Sequence, residues 1–305
     1  MTRAVVFAYH NVGVRCLSVL LAHGVEVPLV ITHLDNPNET IWFESVRELG
    51  LLHELPTVTP ADPNAPEVMA RIAAAQPDLL FSFYYRHMLR PELLAFATRG
   101  ALNMHGSLLP KYRGRVPVNW AVIKGESETG ATLHYMVQKP DAGDIVDQQA
   151  VPILPDDTAF DVFNKVTVAA EMTLHRSLTA LIAGTAPRQP QDLAQGSYFG
   201  GRRPADGRID WRESAAAIHN LVRGVAPPYP GAFANIEGRM ARILKTRLVA
   251  APAGSAHTLH AAGGRLQAVC GDGRSLELVR AELDGLPLTP ERFARVFGTA
   301  PVRLD

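Results

Sequence analysis

Along the first half of the chain, short uninterrupted apolar runs alternate with stretches whose apolar residues recur every three or four positions. Ala4 to Tyr9 and Val27 to Thr32 are runs of the kind carried by strands buried on both faces. Between them, Val14 to His23 places Leu17, Leu20 and Leu21 on one helical face, so the chain opens as a βαβ unit. The pattern predicts further helices over Thr40 to Leu49 and Pro66 to Gln76, and an aromatic-rich strand from Asp78 to Tyr85. Gly100 to His105 reads as a short strand, a short helix closes at Trp120 to Lys124, and Thr129 to Val137 and Ile145 to Val151 are strands. Thr158 to Ala183 is one long helix, with Phe160, Phe163, Val166, Ala170, Leu174, Leu178 and Leu181 along its apolar face. Such alternation implies an α/β domain, a mostly parallel sheet with helices on both faces.

The periodicity lapses over Gly184 to Asp206, rich in Pro, Gly, Arg and Gln, which reads as a connection between domains. A second domain is expected from about Gly207: a helix over Ser214 to Val225, the rigid turn PPYPGA from Pro227, and short strands around Phe233, Arg239 to Leu248, Thr258 to Ala262, Leu266 to Cys270 and Leu276 to Ala281. Short strands separated by glycine-containing turns suggest a small barrel or sandwich. The length of 305 residues agrees with two domains.

Composition narrows the picture. No apolar run approaches the ~20 residues of a membrane span, and the N-terminus leads directly into a strand, so neither a membrane segment nor a signal peptide is expected. The two cysteines, Cys16 and Cys270, stand far apart with no CxxC or Cys/His cluster, which argues against a disulfide framework or bound metal and for a cytoplasmic location. Thirty basic and thirty acidic residues cancel. No global positive field recruits nucleic acid or an anionic membrane.

Candidate chemistry gathers at ALNMHGSLLPKYRGR, residues 101 to 115. Alternate side chains of a strand face the same way, so Asn103 and His105 project together while Leu102 and Met104 face the opposite layer. Gly106 and Pro110 stop the strand there, at the carboxyl edge where open α/β sheets place ligands. Asp141, in the DAGD turn after the strand-like TLHYMV, is the carboxylate best placed to hold the imidazole. An amide that donates to an oxyanion, an imidazole that moves protons and a carboxylate that orients it suit acyl transfer. The first βα turn, His10-Asn11-Val12-Gly13, lacks GxGxxG, and neither GxxxxGK[ST] nor GxSxG is present, so nicotinamide, flavin, phosphate-loop and serine-elbow chemistry have no sequence support.

The strings VVFAYH, THLDNP, FSFYYRH, LNMHGSLLPKYRGR, ETGATLH, DAGDIV, HNLVRGVA and YPGAF resemble the 10-formyltetrahydrofolate-dependent formyltransferases, above all the formyltransferase domain of the ArnA polymyxin-resistance protein. The resemblance implies a Rossmann-like folate-binding domain over residues 1 to 203 and an OB-like β-barrel domain over residues 204 to 305. It places the catalytic trio on Asn103, His105 and Asp141. It places folate contacts on His87, Met88, Leu89, Arg115, Val137, Gln138, Lys139, Pro140 and Asp141, of which Gln138-Lys139-Pro140 departs from the arabinose enzyme's series. The implied co-substrate is 10-formyltetrahydrofolate and the implied acceptor a nucleotide-linked 4-amino sugar, UDP-4-amino-4-deoxy-L-arabinose, in lipid A modification. Methionyl-tRNA formyltransferase shares the motif and both domains, and a non-enzymatic folate or nucleotide binder is the third reading. The balanced charge weighs against a tRNA acceptor, and a mere binder has no need of the trio.

Other residues read more plainly. Lys111, Arg113 and Arg115 form either a solvated basic loop or an anion contact, and Arg202, Arg203 and Arg223 are further candidates to grip a diphosphate. Phe81, Phe83, Tyr84 and Tyr85 are expected to pack the strand, apart from one or two at its carboxyl end. His10, His33, His53, His134 and His175 are expected to be structural.

Overall fold

The computed structural model describes residues 1–249 and 257–304. The elements run β1 (Arg3–Ala8), α1 (His10–Ala22), β2 (Glu26–Ile31), α2 (Val46–Leu52), β3 (Thr57–Val58), α3 (Pro66–Ala75), β4 (Leu79–Phe83), α4 (Pro91–Leu94), β5 (Gly100–His105), β6 (Arg113–Gly114), α5 (Pro117–Ile123), β7 (Glu128–Tyr135), β8 (Ile145–Pro152) and α6 (Ala159–Ala183). There follow β9 (Tyr198–Phe199), α7 (Ala215–Gly224), β10 (Ala232–Ile236), β11 (Arg239–Val249), β12 (Thr258–Ala262), β13 (Arg265–Val269), β14 (Ser275–Leu283), β15 (Leu286–Pro287), α8 (Pro290–Phe297) and β16 (Val302–Arg303). They form two compact units. One comprises Met1–Pro117, Glu128–Val151 and Asn164–Gly200; the other comprises Val118–Ser127, Pro152–Phe163 and Gly201–Asp305.

The first unit is built on a sheet of order β3-β2-β1-β4-β5-β7-β8, parallel from β3 through β5 and antiparallel where β5 meets β7. Val5 and Phe7 of β1 face one side and pack with Val68 and Ile72 of α3, while α1 lies against the other side, where the Gly13 backbone approaches Ala8 closely. This is the Rossmann-like arrangement. Phe7, Phe81 and Phe83 are fully enclosed, and each such side chain stabilises the fold by about 1.5–3 kcal/mol relative to exposure. Register then positions the chemistry: Asn103 lies opposite Ser82 on one side and His134 on the other, and His105 lies opposite Thr132.

One predicted helix is shifted. Helix starts at Val46, not Thr40, because the Ser45 hydroxyl accepts from the Glu48 N–H at 3.3 Å and caps the helix there. The preceding Trp42 and Phe43 serve instead as ring partners of His10.

In the second unit the strands order as β10-β11-β14-β13-β12-β16, an antiparallel half-barrel with β15 beside β14. α7 packs on it, and Trp211, Ile218, Ile243, Leu276 and Phe293 belong to one core. α5 belongs to this unit as well: Asn119 Nδ2 donates to the Gly224 carbonyl at 2.9 Å, and Ile123 fills the space beside Gly224. Both cysteines are free and buried.

Candidate active site

Strand period brings Asn103 and His105 to the same face of β5, and the chain leaves the sheet immediately after His105. His105 Nε2 donates to the Tyr112 carbonyl at 2.8 Å, which fixes the proton on that nitrogen because a carbonyl only accepts. Its Nδ1 lies 3.5 Å from Asp141 Oδ1. The other carboxylate oxygen, Oδ2, accepts from the Gly114 N–H at 2.9 Å. Gly114 has φ +100°, and a Cβ there would overlap the Phe199 carbonyl oxygen, so glycine alone lets this N–H reach the carboxylate.

His134, expected to be structural, joins the cluster. Its Nδ1 donates to the Tyr135 carbonyl at 2.8 Å; in the neutral ring Nε2 accepts from Asn103 Nδ2 at 3.2 Å, and in the protonated ring Nε2 carries an N–H toward Asp141. The same amide nitrogen lies 3.4 Å from Asp141 Oδ1, and His134 Nε2 is 3.5 Å from that oxygen. Asn103 therefore bridges an imidazole and a carboxylate. The position of His134 directly across the ladder from Asn103 was the available sequence signal, but it requires knowing that β5 pairs with β7.

Electrostatics follow from these contacts. Burial alone would raise the Asp141 pKa, but the neighbouring His105, the His134 contact and the Gly114 N–H outweigh it and hold the carboxyl well below the usual range. Asp141 is ionised at any working pH. Its backbone sits at φ +52°, in a loop clamped from outside: Gln191 Nε2 donates to the Asp141 carbonyl at 3.2 Å and to the Gly143 carbonyl at 2.6 Å. Gln191 was not anticipated from sequence, since 50 residues separate it from Asp141.

The remaining predicted residues are placed as follows. His87 and Met88 are exposed after β4, with Met88 64% accessible, whereas the Leu89 side chain is buried in the core beneath. Val137, Gln138 and Lys139 are exposed and Pro140 half-buried in the turn that delivers Asp141. Lys111 and Arg115 are exposed, but Arg113 is buried and its Nε has no hydrogen-bond partner among the described residues. Arg202 lies over the Trp120 ring at 4.6 Å, Arg203 is exposed, and Arg223 is buried. Among the described residues, no group of three or more His, Cys, Asp and Glu could hold a metal ion, and no helix is long and apolar enough to cross a membrane.

A second cluster lines the same sheet's carboxyl edge beyond β1, β2 and β4. His10 stacks on Phe43 at 3.9 Å and meets Trp42 edge-on at 4.5 Å, while His33 stacks on Tyr85 at 4.1 Å. His10 Nδ1 accepts from the Asn11 N–H and His33 Nε2 from the Arg86 N–H, both at 3.0 Å. Burial, aided by nearby positive charge, lowers His10 to about 3 and His33 to about 4. Both rings are neutral near pH 7.

A parallel sheet that ends in an amide, imidazole and carboxylate, followed by an antiparallel half-barrel, is the architecture of a formyltransferase. The Formyl transferase family matches residues 17–178 and the Formyl transferase C-terminal domain matches residues 202–298; the chain belongs to this family. It is similar to the N-formyltransferase from Helicobacter canadensis in complex with folinic acid and dTDP-3-aminofucose, at 20% identity and a TM-score of 0.72 over 91% of this chain and 99% of that one. It is also similar to WlaRD, a sugar 3N-formyl transferase solved with dTDP and 5-N-formyl-THF, at 21% identity and a TM-score of 0.73 over 93% and 98% of the two chains. A third likeness is the 4-N formyltransferase from Francisella tularensis, at 18% identity and a TM-score of 0.63 over 76% and 91%. At these identities the likeness is one of fold.

Proposed function

We propose that this formyltransferase transfers the formyl group of 10-formyltetrahydrofolate to the primary amine of a nucleotide-linked amino sugar, with UDP-4-amino-4-deoxy-L-arabinose as the acceptor. The observation that carries the reaction is the cluster of Asn103, His105 and Asp141 at the end of β5. Support for a sugar nucleotide comes from solved relatives named for such substrates, and support for the arabinose acceptor from the resemblance of the motif strings to the ArnA domain. Balanced charge also favours a small acceptor over tRNA.

In the proposed reaction, the acceptor's neutral amine attacks the formyl carbon. The carbon's bond to folate N10 breaks, the amine gives up one proton and N10 takes one. The developing oxyanion is held by Asn103, whose contact to Asp141 at 3.4 Å is long for a hydrogen bond and so exchanges readily for a shorter, charge-assisted one. His105, fixed through Nε2, faces Asp141 with Nδ1; a second proton taken there adds positive charge beside the oxyanion and serves N10 directly or through a water. Bringing amine and folate together in one crevice supplies much of the remaining rate. The segments at His87 to Leu89, Arg115 and Val137 to Asp141 are the proposed folate contacts.

The test is to incubate the protein with 10-formyltetrahydrofolate and, in parallel, UDP-4-amino-4-deoxy-L-arabinose, a dTDP-4-amino sugar and methionyl-tRNA, then weigh the products. A mass gain of one formyl group on the UDP sugar is expected. Formylation of the tRNA alone overturns the sugar assignment, and preference for the dTDP sugar keeps the chemistry but corrects the acceptor.

A further inference from the structure

The second unit holds a pocket of about 260 Å³ between α7, the segment before α6, and strands β11 and β14. Its charged lining is unusual in how little of it is paired. Arg223, only 7% exposed, donates from Nε to Asn220 Oδ1 at 2.9 Å and from Nη1 to the carbonyls of Asp157 and Leu154 at 3.0 and 3.4 Å. No carboxylate among the described residues comes within 4 Å of it; burial lowers its pKa, and the more distant Asp157 and Asp156 offset that only in part. Lys245 and Arg280 are partners at a register irregularity of the β11–β14 ladder and also line the pocket; both are exposed, and neither side chain has a hydrogen bond or ion pair to a described residue. Like charges at opposed positions destabilise a ladder.

We propose that this pocket binds the phosphoryl group of a small organic phosphate. Three cationic groups converge on it, which matches a dianionic phosphoryl group better than a single carboxylate. Arg223 supplies Nη2, which makes no hydrogen bond to a described residue, and Lys245 and Arg280 supply the outer donors. His219 contributes no charge: its Nε2 donates to the Pro155 carbonyl at 3.1 Å, its Nδ1 accepts from the Thr246 hydroxyl at 2.9 Å, and burial lowers its pKa. The acidic side chains of the rim point to the rest of the ligand. Asp161 is engaged with the backbone and hydroxyl of Thr158, and the exposed Asp156 lies 3.7 Å from His219. A rim carboxylate accepts sugar hydroxyls and repels a polyanion, so the site suits a nucleotide or sugar phosphate and disfavours a nucleic-acid backbone.

The experiment is isothermal titration of the full chain with sodium pyrophosphate and with UMP, repeated on the Lys245→Gln/Arg280→Gln double variant. Arg223 is left intact because its Nη1 also anchors the Leu154 and Asp157 carbonyls. Saturable binding of at least one probe is expected, weakened tenfold or more in the double variant, whose melting temperature without probe should equal or exceed that of the wild type. Absence of saturable binding by both probes, or equal binding by the two proteins, overturns the proposal. Acceptor kinetics then identify the source: a raised KM with kcat retained assigns the phosphoryl group to the acceptor, and an unchanged KM assigns it to a separate molecule. The titration requires no formyl transfer, so it succeeds or fails independently of the acceptor proposed above.

Discussion

Two histidine clusters share the carboxyl edge of one sheet, and the backbone treats them in opposite ways. At the β5–β7 end, His105 and His134 each donate a ring N–H to a backbone carbonyl and leave the other nitrogen facing Asn103 or the ionised Asp141. At the β1–β2–β4 end, His10 and His33 each accept a backbone N–H and are enclosed by aromatic rings. The first arrangement assembles charge and donors around one carboxylate, while the second keeps two rings neutral as packing elements. Residue type and place on the sheet edge do not separate them; what separates them is whether the nearest backbone group is an acceptor or a donor.

The sharpest way to break this contrast is to remove members of the first cluster. Asn103→Ala and His105→Ala should each raise the barrier to transfer by about 2 kcal/mol or more, the scale of a lost oxyanion donor or general acid. Folate affinity should change far less, and steady-state kinetics with a parallel folate titration measures both. Full activity of Asn103→Ala would remove the oxyanion role.

Asp141→Asn comes next, with a loss near 2 kcal/mol in kcat/KM and a displaced limb of the pH–rate profile. Stability carries a second signature. The folded-state pKa of Asp141 is depressed, so its contribution is complete above the unfolded value of about 4 and is lost as pH falls toward the folded one. The melting-temperature gap between wild type and variant should therefore be constant above about pH 5 and shrink in more acidic solution. A gap independent of pH would make Asp141 a turn residue only.

How much of this was legible in the sequence depends on the range of the interaction. Strand period was enough to place Asn103 and His105 side by side, and the alternation of runs was enough for the parallel sheet. The DAGD turn after the strand-like TLHYMV pointed to Asp141, and the family resemblance pointed to the same residue. His134 escaped because its role arises from the β5–β7 register, and Gln191 because its two acceptors are backbone carbonyls, which leave no mark on side-chain pattern. Likewise the lapse in periodicity over Gly184 to Asp206 could suggest a break in the chain, but α5 joins the second unit through a hydrogen bond from Asn119 to the Gly224 carbonyl, a contact across 105 positions.

Gln191 tests whether the first cluster depends on how its carboxylate is delivered. Gln191→Glu keeps the side-chain size but replaces the donating amide with oxygens facing two carbonyls, and should reduce kcat/KM by about 1.5 kcal/mol. Gln191→Met, which also removes the buried Oε1, unpartnered among the described residues, should do less harm. Because Gln191 acts through Asp141, the loss should come with a shifted pH profile; an unshifted profile in a stable protein would limit it to a structural role.

The second cluster offers the smallest effect, and it is one of stability. His10 has a folded pKa lowered to about 3 by burial, with Arg86 adding to the shift, whereas an unfolded histidine titrates near 6.5. Between those values the unfolded chain binds more protons than the folded one, so stability rises with pH across the window and falls on acidification. By pH 5.5 to 6 the penalty from His10 should reach about 1 kcal/mol, and His33, lowered to about 4, adds in the same direction. His10→Asn is the informative variant, because asparagine tolerates the φ of +68° and cannot titrate. Melting curves from pH 7.5 to 5 should show a shallower decline for the variant, with kcat/KM at pH 7.5 changed much less than by any substitution at Asn103, His105 or Asp141. If His10→Asn instead matched those losses in rate, the two clusters would form one site, and the neutral rings would have to be counted among the groups that meet substrate.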